Sequence, residues 1–138
     1  MERDRLSKAW IRHHFVLGES RRLTSWFYIT FVENTGTAFG VLQGNNKALG
    51  IFAFLILSAL LYGARGLSER GGFWGAFGVA LVLGGAVGNL MDRIHFGRVI
   101  DFFDLRVWPV FNIADTAISL GTVCILIGLF SQESDDPL

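Results

Sequence analysis

The sequence predicts a mainly α, polytopic membrane helical bundle of three spans, and two observations carry that prediction. First, 51% of its 138 residues are hydrophobic and only 17% are charged, against about 25% charge in an ordinary soluble domain. The mean hydropathy is +0.45. Second, the apolar residues gather into three runs of roughly 17–20 residues, the length that crosses a hydrocarbon core about 30 Å thick as a helix. Three buried helices of a soluble protein fit poorly, because runs this long leave too little chain to cover them. Twelve Lys and Arg balance twelve Asp and Glu, so no basic excess is available for nucleic acid. The single cysteine, Cys124, lies inside an apolar run, which excludes a disulfide framework and a cysteine-based zinc site.

The elements follow in order. Residues 1–25 are polar and basic, and residues 1–47 read as an extramembrane segment. Within it, 26–32 (WFYITFV) is aromatic and β-branched, a strand composition, and Asn34-Thr35-Gly36-Thr37 reads as a turn. The first span is 48–64, interrupted only by Ser58 and Gly63. A short charged connection, 63–72, leads to the second span, 73–91, which is Gly-rich and has Asn89 as its strongly polar residue. A loop rich in charge and aromatics, 92–109, precedes the third span, 111–130, and 131–138 is a polar tail. Three spans place the N-terminal segment and the 92–109 loop on one side. That side holds ten of the twelve Lys and Arg, with Arg65 and Arg70 opposite, so the positive-inside rule would make it cytoplasmic.

Polar residues in the spans are where function is expected, since lipid cannot satisfy them. Asn112, Asp115, Ser119 and Thr122 are spaced three, four and three apart and line one helix face. Asn112 could equally cap that helix, with Asp115 a first-turn acid favoured by the dipole. At the end of the second span, Asn89 shares a face with Asp92 and Arg93, and Asp92 reads as the partner of Arg93. Gly84 and Gly88 form a GxxxG spacing suited to close helix packing. Asp101 sits in an apolar stretch, 99–103, that could fold back to the membrane surface. Spacing alone leaves Asp92, Asp101 and Asp104 all open as the partner of Asp115. His13, His14 and His95 form no HExxH pattern, and neither a P-loop nor a GxSxG elbow occurs.

Four blocks, taken in order, resemble bacterial signal peptidase II, the lipoprotein signal peptidase family. They are Asp4-Arg5-Leu6-Ser7-Lys8, Asn34-Thr35-Gly36-Thr37-Ala38-Phe39, GAVGNLMDRIHFGRVID from Gly85 to Asp101, and Phe111-Asn112-Ile113-Ala114-Asp115. The resemblance implies an intramembrane aspartic endopeptidase that cuts a prolipoprotein before its diacylglyceryl-modified cysteine. It implies Asp101 and Asp115 as the catalytic pair. Asp4, Lys8, Asn34, Gly85, Asn89, Arg93 and Asn112 fall on supporting or substrate-binding positions. It further implies no metal or cofactor, a small extramembrane β-rich cradle, membrane lipids and a lipid-modified prolipoprotein as partners, and a bacterial cytoplasmic (inner) membrane location with the site near the outer surface. The family has four spans, with the DxxxK block ending the first; only Met1-Glu2-Arg3 precede it here, so three spans are expected. The motifs put the ten-cation side outside, and we take them over the charge count. A small proton-coupled transporter or channel subunit, with Asp115 as a relay, is the alternative from another class. A catalytically impaired truncated form is a third.

Overall fold

The computed structural model describes residues 2–36 and 46–133; Thr37, Ala38 and Phe39 of the second block lie outside them. The element order is α1 (Glu2–His14), β1 (Ser20–Arg22), β2 (Tyr28–Asn34), α2 (Asn46–Phe96), β3 (Val99–Asp104) and α3 (Ile113–Glu133). Two helices, Lys47–Phe96 and Ile113–Ser131, are long and apolar enough to cross a membrane.

Helix α1 lies in a segment whose composition announced only polarity. Its charges complement the helix dipole, with Glu2 and Asp4 in the first turn and Arg12 in the last. One face is nevertheless buried: Asp4, Lys8, Ile11 and, just past the helix end, Phe15. Those positions recur at helical spacing. Ile11 and Phe15 pack with Phe31, Ile100 and Phe102 into a small core beneath the sheet.

The sheet is antiparallel, in the order β1-β2-β3. The strand expected at 26–32 forms two residues later, at Tyr28–Asn34, and β1 pairs with it through Ser20↔Thr30. On its other side, Val32 pairs with Asp101, with an irregularity between Ile29 and Val32. Alternation along β3 sends Ile100 and Phe102 to the core and Asp101 to the opposite face. Much of the expected 92–109 loop is therefore regular: α2 continues to Phe96, Gly97 turns the chain at φ 69°, and β3 follows.

The charged 63–72 segment is not a loop either. Helix α2 runs through it, supported by the Arg65–Glu69 pair at i,i+4, and reverses at Gly72 (φ 56°, ψ −142°), a backbone conformation only glycine tolerates. From Gly71, at that reversal, onward, α2 packs antiparallel on α3 along a seam of small residues. Gly71 meets Gly128, Gly78 meets Gly121, and Gly85 meets Ala114. Both sets repeat every seven residues, so the backbones touch along the whole contact. Of the GxxxG pair expected to allow close helix packing, Gly88 does so, against Asp4 of α1 and the Ala114 methyl of α3, whereas a side chain at Gly84 would meet nothing within 4 Å.

Candidate active site

The site forms where the N-terminus of α3 meets the face of β3 turned away from the small core. Phe111 bridges to Phe103, its N–H donating to the Phe103 carbonyl at 3.0 Å and its carbonyl accepting from Phe103 N–H at 2.7 Å. This clamp sets Asn112 beside Asp101. Asn112 is fully buried and caps α3: its Oδ1 accepts from Asp115 N–H at 2.9 Å, while Asp115 Oδ2 accepts from Asn112 N–H at 3.2 Å. This is a reciprocal capping box. Capping and site roles coincide in one residue, because the Asn112 amide nitrogen donates outward to Asp101 Oδ1 at 2.7 Å.

The rest of the site comes from two further elements, β2 and α2. Asn34, at the end of β2, donates to Asp101 Oδ2 at 2.9 Å. Asn89, on α2, donates to Asp115 Oδ1 at 2.7 Å and accepts from Asn112 at 3.1 Å. Each carboxylate thus receives one donor on each oxygen, and Asn112 bonds to both. A cavity of about 240 Å³ opens beside them, lined by Asn34, Asn89, Arg93, Asp101, Trp108 and Asp115 among others. Arg93 donates to the Gly36 carbonyl at 3.3 Å, and its charge is felt by Asp101, Asp115 and Asp92.

Of the three acids left open as the partner of Asp115, only Asp101 shares this cavity. Asp92 bonds Lys8 at 2.5 Å, so the direct partner is Lys8 and not the expected Arg93, whose charge acts on Asp92 without a bond of that kind. Asp104 accepts from Thr30 at 2.7 Å and faces Arg106. Asp4 and Lys8 lie behind the site, buried and bonded to each other at 2.7 Å. Gly85 lies on the helix seam against Ala114, the residue before Asp115. Farther along the polar stripe, Ser119 reaches the cavity, whereas Thr122 donates to the Ile118 carbonyl of its own helix. Trp108, a cavity wall, was not singled out from sequence; its only signal was an aromatic in a charged loop.

Burial pushes the Asp101 carboxyl from its ordinary 3.8 up to about 7, and the charge of Asp115 adds to the rise. The amides of Asn34 and Asn112 and the ammonium of Lys8 oppose it. An acid whose proton is held more tightly in the folded protein loses stability as pH rises from about 4 to about 7, and no more above that. Asp101→Asn removes this dependence. The variant is therefore expected to gain on the parent across that range, reaching roughly 2–4 kcal/mol. Unfolding in detergent at pH 5 and pH 8 measures the gap, and equal gaps at both would refute the shift.

The family model described as Signal peptidase (SPase) II matches residues 2–131. A lipoprotein signal peptidase of Syntrophomonas wolfei is 44% identical over 126 residues, 90% of this chain and 83% of that protein. One from Gloeobacter violaceus is 42% identical over 139 residues, covering 97% and 79%. Among solved structures, a bacterial membrane enzyme determined in meso at 2.3 Å superposes with a TM-score of 0.86 and 30% identity, over 99% of this chain and 85% of that one. A second, at 1.9 Å, gives 0.79 and 32%, over 93% and 85%. With its apolar helices, its small sheet and a family match spanning nearly the whole chain, this is an integral membrane protein belonging to the signal peptidase II family, the lipoprotein signal peptidases.

Proposed function

We propose that this protein removes signal peptides from prolipoproteins by activating a water molecule between Asp101 and Asp115. Signal-peptide removal is the activity of the aspartic peptidase family to which the chain belongs. One observation carries the assignment of the pair: two carboxylates from different elements converge on one cavity, and a single buried asparagine hydrogen-bonds to both.

Two carboxylates this close cannot both ionise cheaply, so the pair holds one proton near neutral pH. Asp115 is the anion. It sits at the N-terminus of α3, where the dipole favours negative charge, and accepts two N–H donors. Asp101, more deeply buried, keeps the proton. Asp115 takes a proton from water as the water oxygen bonds to the scissile carbonyl carbon, and the Asp101 hydroxyl donates a hydrogen bond to the carbonyl oxygen. Collapse of the tetrahedral intermediate breaks the C–N bond, and the proton held by Asp115 passes to the leaving amine. The pair's two titrations belong to the dyad as a unit.

The substrate is a precursor whose cysteine after the cut already carries a diacylglyceryl group. An apolar hollow of about 670 Å³, walled by Ile51, Phe54, Leu90 and Ile94, shares Arg93 with the catalytic cavity and suits lipid chains held beside a polar site. We place the protein in the bacterial inner membrane with the sheet and the pair at its outer surface. Domain boundaries follow the same reading: spans at 48–64, 73–91 and 111–130, with 1–47 outside the membrane. A proton-relaying transporter or channel subunit is not favoured by the family membership. Purified protein in detergent is expected to cut a diacylglyceryl-modified precursor and to leave the unmodified precursor intact, read by mass spectrometry of both fragments. Equal cutting of both precursors would remove the lipid from the recognition scheme, and cutting of neither would remove the activity.

A further inference from the structure

The mechanism above makes no use of the buried ammonium of Lys8, yet that group has a defined cage. Lys8 is 4% exposed, and its Nζ donates to Asp4 Oδ2 at 2.7 Å, Asp92 Oδ2 at 2.5 Å and Asn89 Oδ1 at 3.3 Å. An ammonium has three donors and no acceptor. It therefore claims the oxygen end of the Asn89 amide and turns the nitrogen end toward Asp115 Oδ1. The same Asn89 oxygen accepts from the Asn112 nitrogen. That leaves the Asn112 nitrogen facing Asp101 and its oxygen facing the Asp115 backbone N–H. With Asn89 reversed, an NH₂ would face both the ammonium and the Asn112 NH₂, and an oxygen would face the Asp115 carboxylate. One fixed cation thus sets the sense of two amides in series.

We propose that Lys8 is a positioning residue for the catalytic pair, orienting through Asn89 and Asn112 the amide donors that Asp115 and Asp101 receive. This rests on the reading of Asp101 and Asp115 as the pair. Asp4 and Asp92 hold the ammonium, and Asp4 Oδ1 also accepts from Ala114 N–H at 3.2 Å, tying the cage to the turn that carries Asp115. Among the described residues, the charged groups around the pair are Asp4 and Lys8 from α1 and Asp92 and Arg93 from α2; Asp104 of β3 is taken up by Thr30 and Arg106, and β2 contributes the neutral Asn34.

Lys8→Met keeps the length and removes the donors. Its kcat is expected to fall about 10- to 100-fold, with KM changed by less than about threefold. The acid limb of its kcat–pH profile should move to higher pH, because the pair loses the donor that favours its ionised form. Asn89→Asp leaves Lys8 in place but sets an oxygen against Asp115, so it should show the same upward move; it carries the test if Lys8→Met does not fold. A folded variant of either kind whose acid limb stays where it is, whatever its kcat, overturns the proposal and leaves Lys8 a purely structural ion. Full activity in Asp101→Asn or Asp115→Asn would instead overturn the assignment of the pair.

Discussion

Asp101→Asn and Asp115→Asn are each expected to lower prolipoprotein cleavage by more than about 10³-fold while leaving the protein folded and able to bind precursor. The two losses have different origins. Asn at 115 cannot accept the proton of the attacking water, although its oxygen can still complete the cap with Asn112 N–H. At 101, Asn can still donate a hydrogen bond to the carbonyl oxygen but cannot hold the proton that the pair shares. Both substitutions are nearly isosteric, so the cavity between β3 and α3 keeps its shape. The double variant should be little slower than either single one, because the two carboxylates act as a unit. Retained turnover in either single variant, measured on the diacylglyceryl precursor at pH 7, would sink the two-carboxylate mechanism.

The second large effect concerns neighbouring glycines with opposite outcomes. A side chain at Gly85 would meet the Ala114 carbonyl oxygen and come within 2.8 Å of Ile118 Cγ1. Neither can yield without α2 and α3 separating. Gly85→Ala is therefore expected to cost about 1–3 kcal/mol of stability. It should also cost about 10- to 100-fold in kcat, since Ala114 immediately precedes Asp115 and the displaced turn carries the carboxylate out of line. One residue earlier, a side chain at Gly84 meets nothing within 4 Å. Gly84→Ala should leave cleavage unchanged and raise stability by up to about 1 kcal/mol through helix propensity. Thermal unfolding in detergent and the cleavage assay, run on both variants together, test the pair. Similar behaviour at 84 and 85 would mean that the seam is not where the backbones touch.

How much of this was legible depends on which residues decide each feature. The apolar runs were readable because a segment's preference for lipid is set by its own side chains. The strand at 28–34 was readable from its β-branched and aromatic content, to within two residues. Asn112 and Asp115 stood out because polar groups on an apolar helix demand an explanation, and the cap does not exclude a site role, since the asparagine that caps α3 also donates to Asp101. Helix α1 was missed because its outer face is charged; the buried recurrence Asp4, Lys8, Ile11, Phe15 mixes ions with hydrophobes and does not register as an apolar stripe. The 63–72 segment looked like a loop because charge in a membrane protein marks an exit from lipid, yet charge does not end a helix. A glycine with positive φ does that, and it lies at the segment's last residue.

Asp101 and Asp104 lie on opposite faces of β3 by alternation alone. Which face looks toward α3 depended on the Phe103–Phe111 clamp, and which acid was free depended on Thr30 and Arg106 occupying Asp104. The Lys8–Asp92 bond joins residues 84 positions apart, and Asn89 reaches Asp115 across 26. Class, spans and the polar residues worth watching are local properties, written in composition and spacing. The pairing of carboxylates and the direction of each amide are properties of contact between distant segments. They came into being only when a sheet edge, a capped helix and a buried cation were packed against one another, because a hydrogen bond's sense is settled by its neighbours and not by the residue that makes it.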